Sequence, residues 1–195
     1  MSRVRCERCA RPSGHCLCHL IPRLPSGTRV LILQHPDETG HALNTARLAA
    51  LGLENAELRV GEDFSGLQLD PAYRACLLFP GENAEPLPLP CSSEEARPLL
   101  LVVPDGTWRK ARKLLHLNPR LSELPRVCLP SGLRSRYRLR KAPAEGALST
   151  IEAITVALEL QEGCCFDELL RPFEALIEGQ IAAMGPDTYR RNHAG

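Results

Sequence analysis

PLLLVVPDGTWRKARKLLHLN, Pro98 to Asn118, is the stretch on which the fold turns. Its first half is an apolar run closed by Pro104 and Gly106, the pattern of a buried strand. Its second half changes period: Trp108, Ala111 and Leu115 fall on one side of a helix, and Arg109, Arg112, Lys113 and His116 on the other. A strand that feeds a helix through a short turn predicts a mainly parallel α/β sheet. Asp105 to Thr107 then stand at the C-terminal end of a strand, where open α/β sheets place their ligands. Asp105 has two readings here: a group that does chemistry in that crevice, or an N-cap holding the amides of Thr107 and Trp108. Trp108 is equally open, as a core anchor or as a stacking surface for a base.

Working outward, RVLILQHP from Arg29, AELRVG from Ala56, ACLLFPG from Ala75 and PRVCLP from Pro125 read as further strands, each ending at Gly or Pro. ALNTARLAAL, Ala42 to Leu51, is expected to be a helix with Leu43, Ala46, Ala50 and Leu51 on one face and Gly52 as its stop. LSTIEAITVALELQEG is a second helix, N-capped by Ser149 or Thr150 with Glu152 in the first turn. An amphipathic helical stretch follows to about Met184. The Pro-rich segment Glu85 to Cys91 reads as a loop.

The chain has 195 residues, 44% hydrophobic and 4% aromatic, with 17 prolines. That suffices for one core of Leu, Ala and Val and asks for no second full domain. There is no apolar run of about 18 residues to span a membrane. The first residues lack the apolar stretch of a signal peptide, and a cytoplasmic location is expected. Nine cysteines are then expected to remain thiols rather than disulfides.

Four of those cysteines crowd into residues 1–24, which have almost no hydrophobic periodicity and cannot fold by burial alone. Cys6, Cys9, Cys16 and Cys18 form CxxC followed by CxC, close enough to surround one tetrahedral zinc. Four thiolates leave no open position, so the zinc is expected to be structural. His15 and His19 are alternatives for one ligand. Cys76, Cys91, Cys128, Cys164 and Cys165 read as small buried hydrophobes.

Charge is segregated along the chain. From Asp105 to Lys141, eleven Arg and Lys stand against two acids, an excess of +9; from Ala142 onward three Arg stand against nine acids, giving −6. The basic segment suits a polyanionic partner. Arg134, Arg136, Tyr137, Arg138, Arg140 and Lys141 combine phosphate-binding charge with one aromatic ring, and Arg109, Lys110, Arg112 and Lys113 extend the same surface.

VVPDGTWRKARKL resembles the signature of the DTW-domain family, with Asp105, Thr107 and Trp108 matching the residues that give the domain its name. The CxxC/CxC segment, QHPDETGHALNTARLAALGL from Gln34 to Leu53 and SRYRLRKAPAEGALSTIEAI from Ser135 to Ile154 also look like this family, in the right order. The resemblance implies a tRNA-uridine aminocarboxypropyltransferase with S-adenosylmethionine as donor, tRNA as partner, and Asp105, Thr107 and Trp108 as catalytic residues. It also implies a SPOUT-like knotted α/β sheet flanked by helices over residues 25–195, beside the zinc-binding segment 1–24. By analogy with that fold, the donor is expected among Phe79, Pro80 and Gly81, then Leu129 and Pro130, then Ala147, Leu148, Ser149 and Thr150. A monomer is expected. No role is derived for His35, Glu38, His41, Asn44 or Arg47, beyond pairing of Arg47 with Glu38 or with the donor's carboxylate. The rival readings are a SPOUT-type RNA methyltransferase and a non-catalytic zinc-containing RNA-binding module.

Overall fold

An uninterrupted apolar run can leave neither face in water, and the two strongest such runs of this chain lie side by side at the centre of one sheet. A computed structural model describes residues 4–89, 97–139, 147–185, 188, 189 and 191. Its strands are β1 (Arg29–Gln34), β2 (Ala56–Val60), β3 (Arg74–Leu78), β4 (Glu85–Pro86), β5 (Leu99–Asp105) and β6 (Arg126–Cys128). They form one six-stranded sheet in the order β2-β1-β5-β3-β6-β4, and every pairing is parallel. All strand C-termini therefore point the same way, and the loops that follow them gather at one edge.

Helices cover both faces. On one side α1 (Ala46–Gly52), α4 (Thr150–Glu162) and α5 (Arg171–Met184) bury Leu48, Ile154, Leu158 and Phe173 against Val30, Ile32 and Leu101. On the other, α2 (Trp108–Leu117) and α3 (Pro119–Ser122) pack Ala111, Leu114 and Leu121 on Leu31, Leu33 and Val102. The N-terminal segment joins the first core through Cys9, Leu17 and Ile21. Leu24 bridges in parallel to Leu53. Among the described residues no helix is long and apolar enough to cross a membrane.

The α4 helix starts as its sequence requires. Ser149 is the N-cap and forms a capping box with Glu152, and Gly163 ends the helix at φ 67°. Four expectations are corrected. The helix predicted from Ala42 begins only at Ala46, where the Asn44 side chain accepts from the Arg47 amide of its first turn. Gly52 is not a left-handed stop; it permits close packing, since a Cβ there would come within 2.5 Å of Leu169 Cδ1. Within the Pro-rich segment, Glu85 and Pro86 are an edge strand paired with Val127 and Cys128. Cys164 and Cys165 are likewise not buried fillers but exposed, standing in the turn after α4. Cys76 is buried and Cys128 half-buried; Cys91, Arg140 and Lys141 lie outside the described residues.

One buried polar residue ties the second face together. Asn118 donates through Nδ2 to the carbonyls of Glu62 (2.7 Å) and Leu114 (2.8 Å) and accepts at Oδ1 from the amide of Phe64 (2.6 Å). It closes α2 and fastens the loop after β2 with three of its four hydrogen-bonding positions. Asn118→Ala is expected to lower stability by about 2–3 kcal/mol, because it strands buried backbone groups as well as removing bonds. Urea denaturation followed by circular dichroism would measure this, with the slope of the transition unchanged.

Candidate active site

The parallel register sets Gln34 opposite Asp105 at the C-terminal ends of β1 and β5. Asp105 is only 8% exposed. Its Oδ2 accepts from Gln34 Nε2 at 2.7 Å, and its Oδ1 accepts from the hydroxyl of Thr150. Burial pushes the carboxyl above its ordinary range, the Thr150 and Gln34 donors pull it back, and the negative charge of Glu38 adds to the rise. The N-cap reading of Asp105 does not hold: the N-cap of α2 is Thr107, whose Oγ1 accepts from the Lys110 amide at 3.3 Å. Gly106 allows the turn to close, since a Cβ there would sit 3.1 Å from Lys110 Cβ.

Asp105 lies in the wall of a cavity of about 760 Å³, built at one edge from the loops after β1, β3, β5 and β6 and from the start of α4. Phe79, Pro80, Leu129, Pro130, Ala147, Leu148, Ser149 and Thr150 all line it, as do Thr107 and Trp108. Gly81 does not: it lines a separate cavity of about 610 Å³ beside Arg126. Trp108 is 38% exposed at the rim and meets Phe79 edge-to-face, with ring centroids 5.5 Å apart. The Arg126 guanidinium lies 5.9 Å from the same Phe79 ring.

The loop after β1 contributes residues to which sequence reasoning assigned no role. Glu38, His41 and Asn44 line the cavity. Lys110 Nζ reaches Glu38 Oε1 at 2.8 Å and Asp37 Oδ2 at 3.4 Å, and the Glu38 hydrogen bond holds the ammonium above its ordinary range. His35 is buried, with Nε2 2.5 Å from Glu62 Oε1. The Arg47 guanidinium makes no ion pair with Glu38 among the described residues; its Nε donates to the carbonyl of Arg8 at 3.1 Å. The visible signal in the sequence was a polar Gln closing an otherwise apolar strand.

The basic residues divide into two sets. Lys110 and Lys113 are tied to Glu38 and Glu62, and Arg136 reaches both Asp167 (3.1 Å) and Glu174 (3.0 Å). Arg138 pairs with Glu178, and Tyr137 stacks on Phe173 at 5.7 Å. The chain segregates charge along its length, yet the fold brings the acidic C-terminal helix back against the basic loop. Arg109, Arg112 and Arg134 are exposed and carry no ion pair among the described residues. Glu152 anchors that loop, accepting from the Ser135 hydroxyl (2.9 Å) and the Arg136 amide (2.6 Å).

At the N-terminus the Sγ atoms of Cys6, Cys9, Cys16 and Cys18 all lie within 4.8 Å of one another, with Cys6 to Cys18 at 3.6 Å and Cys9 to Cys16 at 3.9 Å. Ligands about 2.3 Å from a tetrahedral zinc stand about 3.8 Å apart, so the set fits that ion. Neither His15 nor His19 belongs to the group. The amides of Cys9 and Arg8 point at the Cys6 sulfur and lower its thiol to about 6. Burial, with hydrogen bonds from its own S–H to the neighbouring cysteine sulfurs, pushes Cys18 up to about 12. A cation at the centre would favour the thiolate form of all four.

The chain matches the DTW domain family over residues 3–181. It is 34% identical over 193 residues to a Drosophila melanogaster protein named tRNA-uridine aminocarboxypropyltransferase 2, covering 92% of this chain and 76% of that one. The Mus musculus protein of the same name is 33% identical, covering 92% of this chain. An Arabidopsis thaliana tRNA-uridine aminocarboxypropyltransferase A is 31% identical, over 78% of this chain and 70% of its own length. The chain spans 64% of the length of the mouse and Macaca fascicularis relatives. No solved structure matches significantly.

A carboxyl raised by burial opposes folding when ionised, so its contribution to stability is full below the ordinary aspartate range and is lost as pH rises through the raised value. Asp105→Asn is therefore expected to gain stability relative to the parent as pH rises from about 4, the ordinary aspartate value, until the raised carboxyl is fully ionised. Chemical denaturation of both proteins across that range would check it; a parallel pair of curves would contradict it.

Proposed function

The chain belongs to the DTW-domain family, and from that premise we propose that it transfers the 3-amino-3-carboxypropyl group of S-adenosylmethionine to N3 of a uridine in tRNA, releasing methylthioadenosine. The observation that carries this reading is a buried carboxylate, Asp105, in the wall of a cavity large enough for a nucleoside donor. Uridine N3 holds a weakly acidic imide proton and attacks poorly until that proton is removed. Asp105 takes it or orients it, contributing roughly 10²–10⁴ in rate, the usual range for such a group. The bond from N3 to the donor's aminocarboxypropyl carbon forms as the carbon–sulfur bond breaks, and sulfur keeps the electron pair. The neutral thioether leaves without a general acid.

In this proposal the donor lies along Phe79, Pro80, Leu129, Pro130 and Ala147 to Thr150, and Thr107 and Trp108 shape the place of the reacting base. Gly81 does not line that space and contributes through the turn after β3. Arg109, Arg112 and Arg134 are the cations best placed to meet RNA phosphates, because acids already engage Lys110, Lys113, Arg136 and Arg138. Arg140 and Lys141, outside the described residues, are proposed to bind RNA as well. A SPOUT-like knotted course of the chain, residues 25–195 as the catalytic domain, and a monomer working in the cytoplasm belong to the same reading.

Zinc on Cys6, Cys9, Cys16 and Cys18 is proposed as a structural ion: four thiolates fill its coordination, so its contribution is to hold residues 1–24 in shape. The purified protein is expected to carry one zinc per chain by elemental analysis, and Cys9→Ser to lose most of it together with several degrees of thermal stability.

The deciding experiment incubates the protein with tRNA and S-adenosylmethionine and identifies both nucleoside and by-product by mass spectrometry. Aminocarboxypropyluridine with methylthioadenosine is expected. Methyluridine with S-adenosylhomocysteine would replace the reaction with methyl transfer, and RNA binding without product would favour a non-catalytic module. Asp105→Ala should reduce product at least about 100-fold.

A further inference from the structure

Gln34 is only 1% exposed, and a buried amide that touches a carboxylate can present either its NH₂ or its C=O. The choice matters: an NH₂ favours the ionised carboxylate, whereas a C=O requires the acid form as donor. Four hydrogen bonds around Asn44 settle it. Asn44 Nδ2 donates to the backbone carbonyl of Glu38 at 3.1 Å, which can only accept, and Asn44 Oδ1 accepts from the backbone amide of Arg47 at 3.2 Å, which can only donate. These two main-chain groups fix the orientation of the Asn44 amide. Asn44 in turn donates to Gln34 Oε1 at 3.3 Å and accepts from Gln34 Nε2 at 3.1 Å. The remaining Gln34 N–H has one direction left, toward Asp105 Oδ2 at 2.7 Å. All four hydrogen-bonding positions of the Asn44 amide are thereby used, and both N–H groups of Gln34.

We propose that Gln34 and Asn44 are positioning residues that hold Asp105 ionised and aimed into the cavity, the main-chain groups of Glu38 and Arg47 being read out through Asn44 and then Gln34. This rests on the proposed transfer, in which Asp105 must accept a proton. The other groups around Asp105 do not do the same work. Glu38, from the turn after β1, opposes ionisation and is itself held by Lys110 of α2. His41 lines the same cavity; the ring of His35 is turned to Glu62, leaving its amide to donate to the Asp105 carbonyl at 3.0 Å. From α4 only the Thr150 hydroxyl reaches the carboxylate. Gln34 thus supplies the amide donor, and Asn44 guarantees which end of that amide faces Asp105.

The test uses the full chain with three substitutions: Gln34→Leu removes the donor, Gln34→Glu keeps the shape but adds a carboxylate, and Asn44→Ala frees Gln34 to turn. Two readouts are taken. Carbon-13 NMR of the Asp105 carboxyl, assigned by its loss in Asp105→Asn, follows ionisation without any reaction. The pH profile of kcat/KM for aminocarboxypropyluridine formation is compared with methylthioadenosine affinity, read from the fluorescence of the single Trp. The Asp105 titration is expected to move up by about one unit or more in all three variants, furthest in Gln34→Glu, where two carboxyls share a proton. The acidic limb of kcat/KM should move with it, and kcat should fall roughly tenfold or more while methylthioadenosine affinity changes less than about threefold. An Asp105 titration that stays in place in Asn44→Ala and Gln34→Leu, with folding intact by circular dichroism, overturns the proposal. If the parent protein makes no product, the transfer reading fails, and the NMR titration still decides whether the two amides control Asp105.

Discussion

A carboxylate at the end of a central strand is costly to bury, and much of the architecture around the cavity follows from meeting that cost. Asp105 sits at the C-terminus of β5, between neighbours that leave it little water. It is kept by donors from two separate elements, Gln34 on β1 and Thr150 at the start of α4. The first comes from strand register, which is set by the long apolar pairing of β1 with β5. The second depends on α4 beginning where it does, which the Ser149–Glu152 capping box enforces. Core packing and helix capping thus converge on one side chain.

Electrostatics adds a second constraint. The polypeptide places its positive charge in one segment and its negative charge in the next, and a linear reading turns this into a strongly basic face. Folding antagonises that outcome, because α5 and the turn before it carry Asp167, Glu174 and Glu178 to Arg136 and Arg138. These are exposed pairs of small individual stability. Their effect is to orient the basic loop beside the cavity, with Glu152 fixing its base. Charge left open on α2 is correspondingly smaller than the sequence total suggests.

The N-terminal segment illustrates how a coreless stretch is attached. Its four thiols converge, and two arginines tie it to the main domain: Arg47 of α1 binds the carbonyl of Arg8, and Arg11 binds that of Ala42 in the loop after β1 at 2.8 Å. Leu17 and Ile21 add a small apolar contact with the main core. The segment therefore rests against the same loop that carries Asn44 and Glu38, so disturbing it would reach the cavity through Arg47.

Periodicity and punctuation determined the parallel α/β class, the buried strands from Arg29 and Leu99, the basic helix after Thr107 and the capped helix after Ser149, because these depend on local side-chain patterns. The same local patterns brought four cysteines near one another and marked the Asp105 turn. Tertiary structure alone decided that Asp105 is held by Gln34 and Thr150 rather than capping its own helix, that Gly52 serves packing against Leu169, that Glu85 and Pro86 pair as an edge strand, and that Arg136 and Arg138 meet acids. Each of these depends on partners far away in the chain, 71 residues in the case of Gln34 and Asp105. Strand order and register bring such partners together, and no local period encodes them.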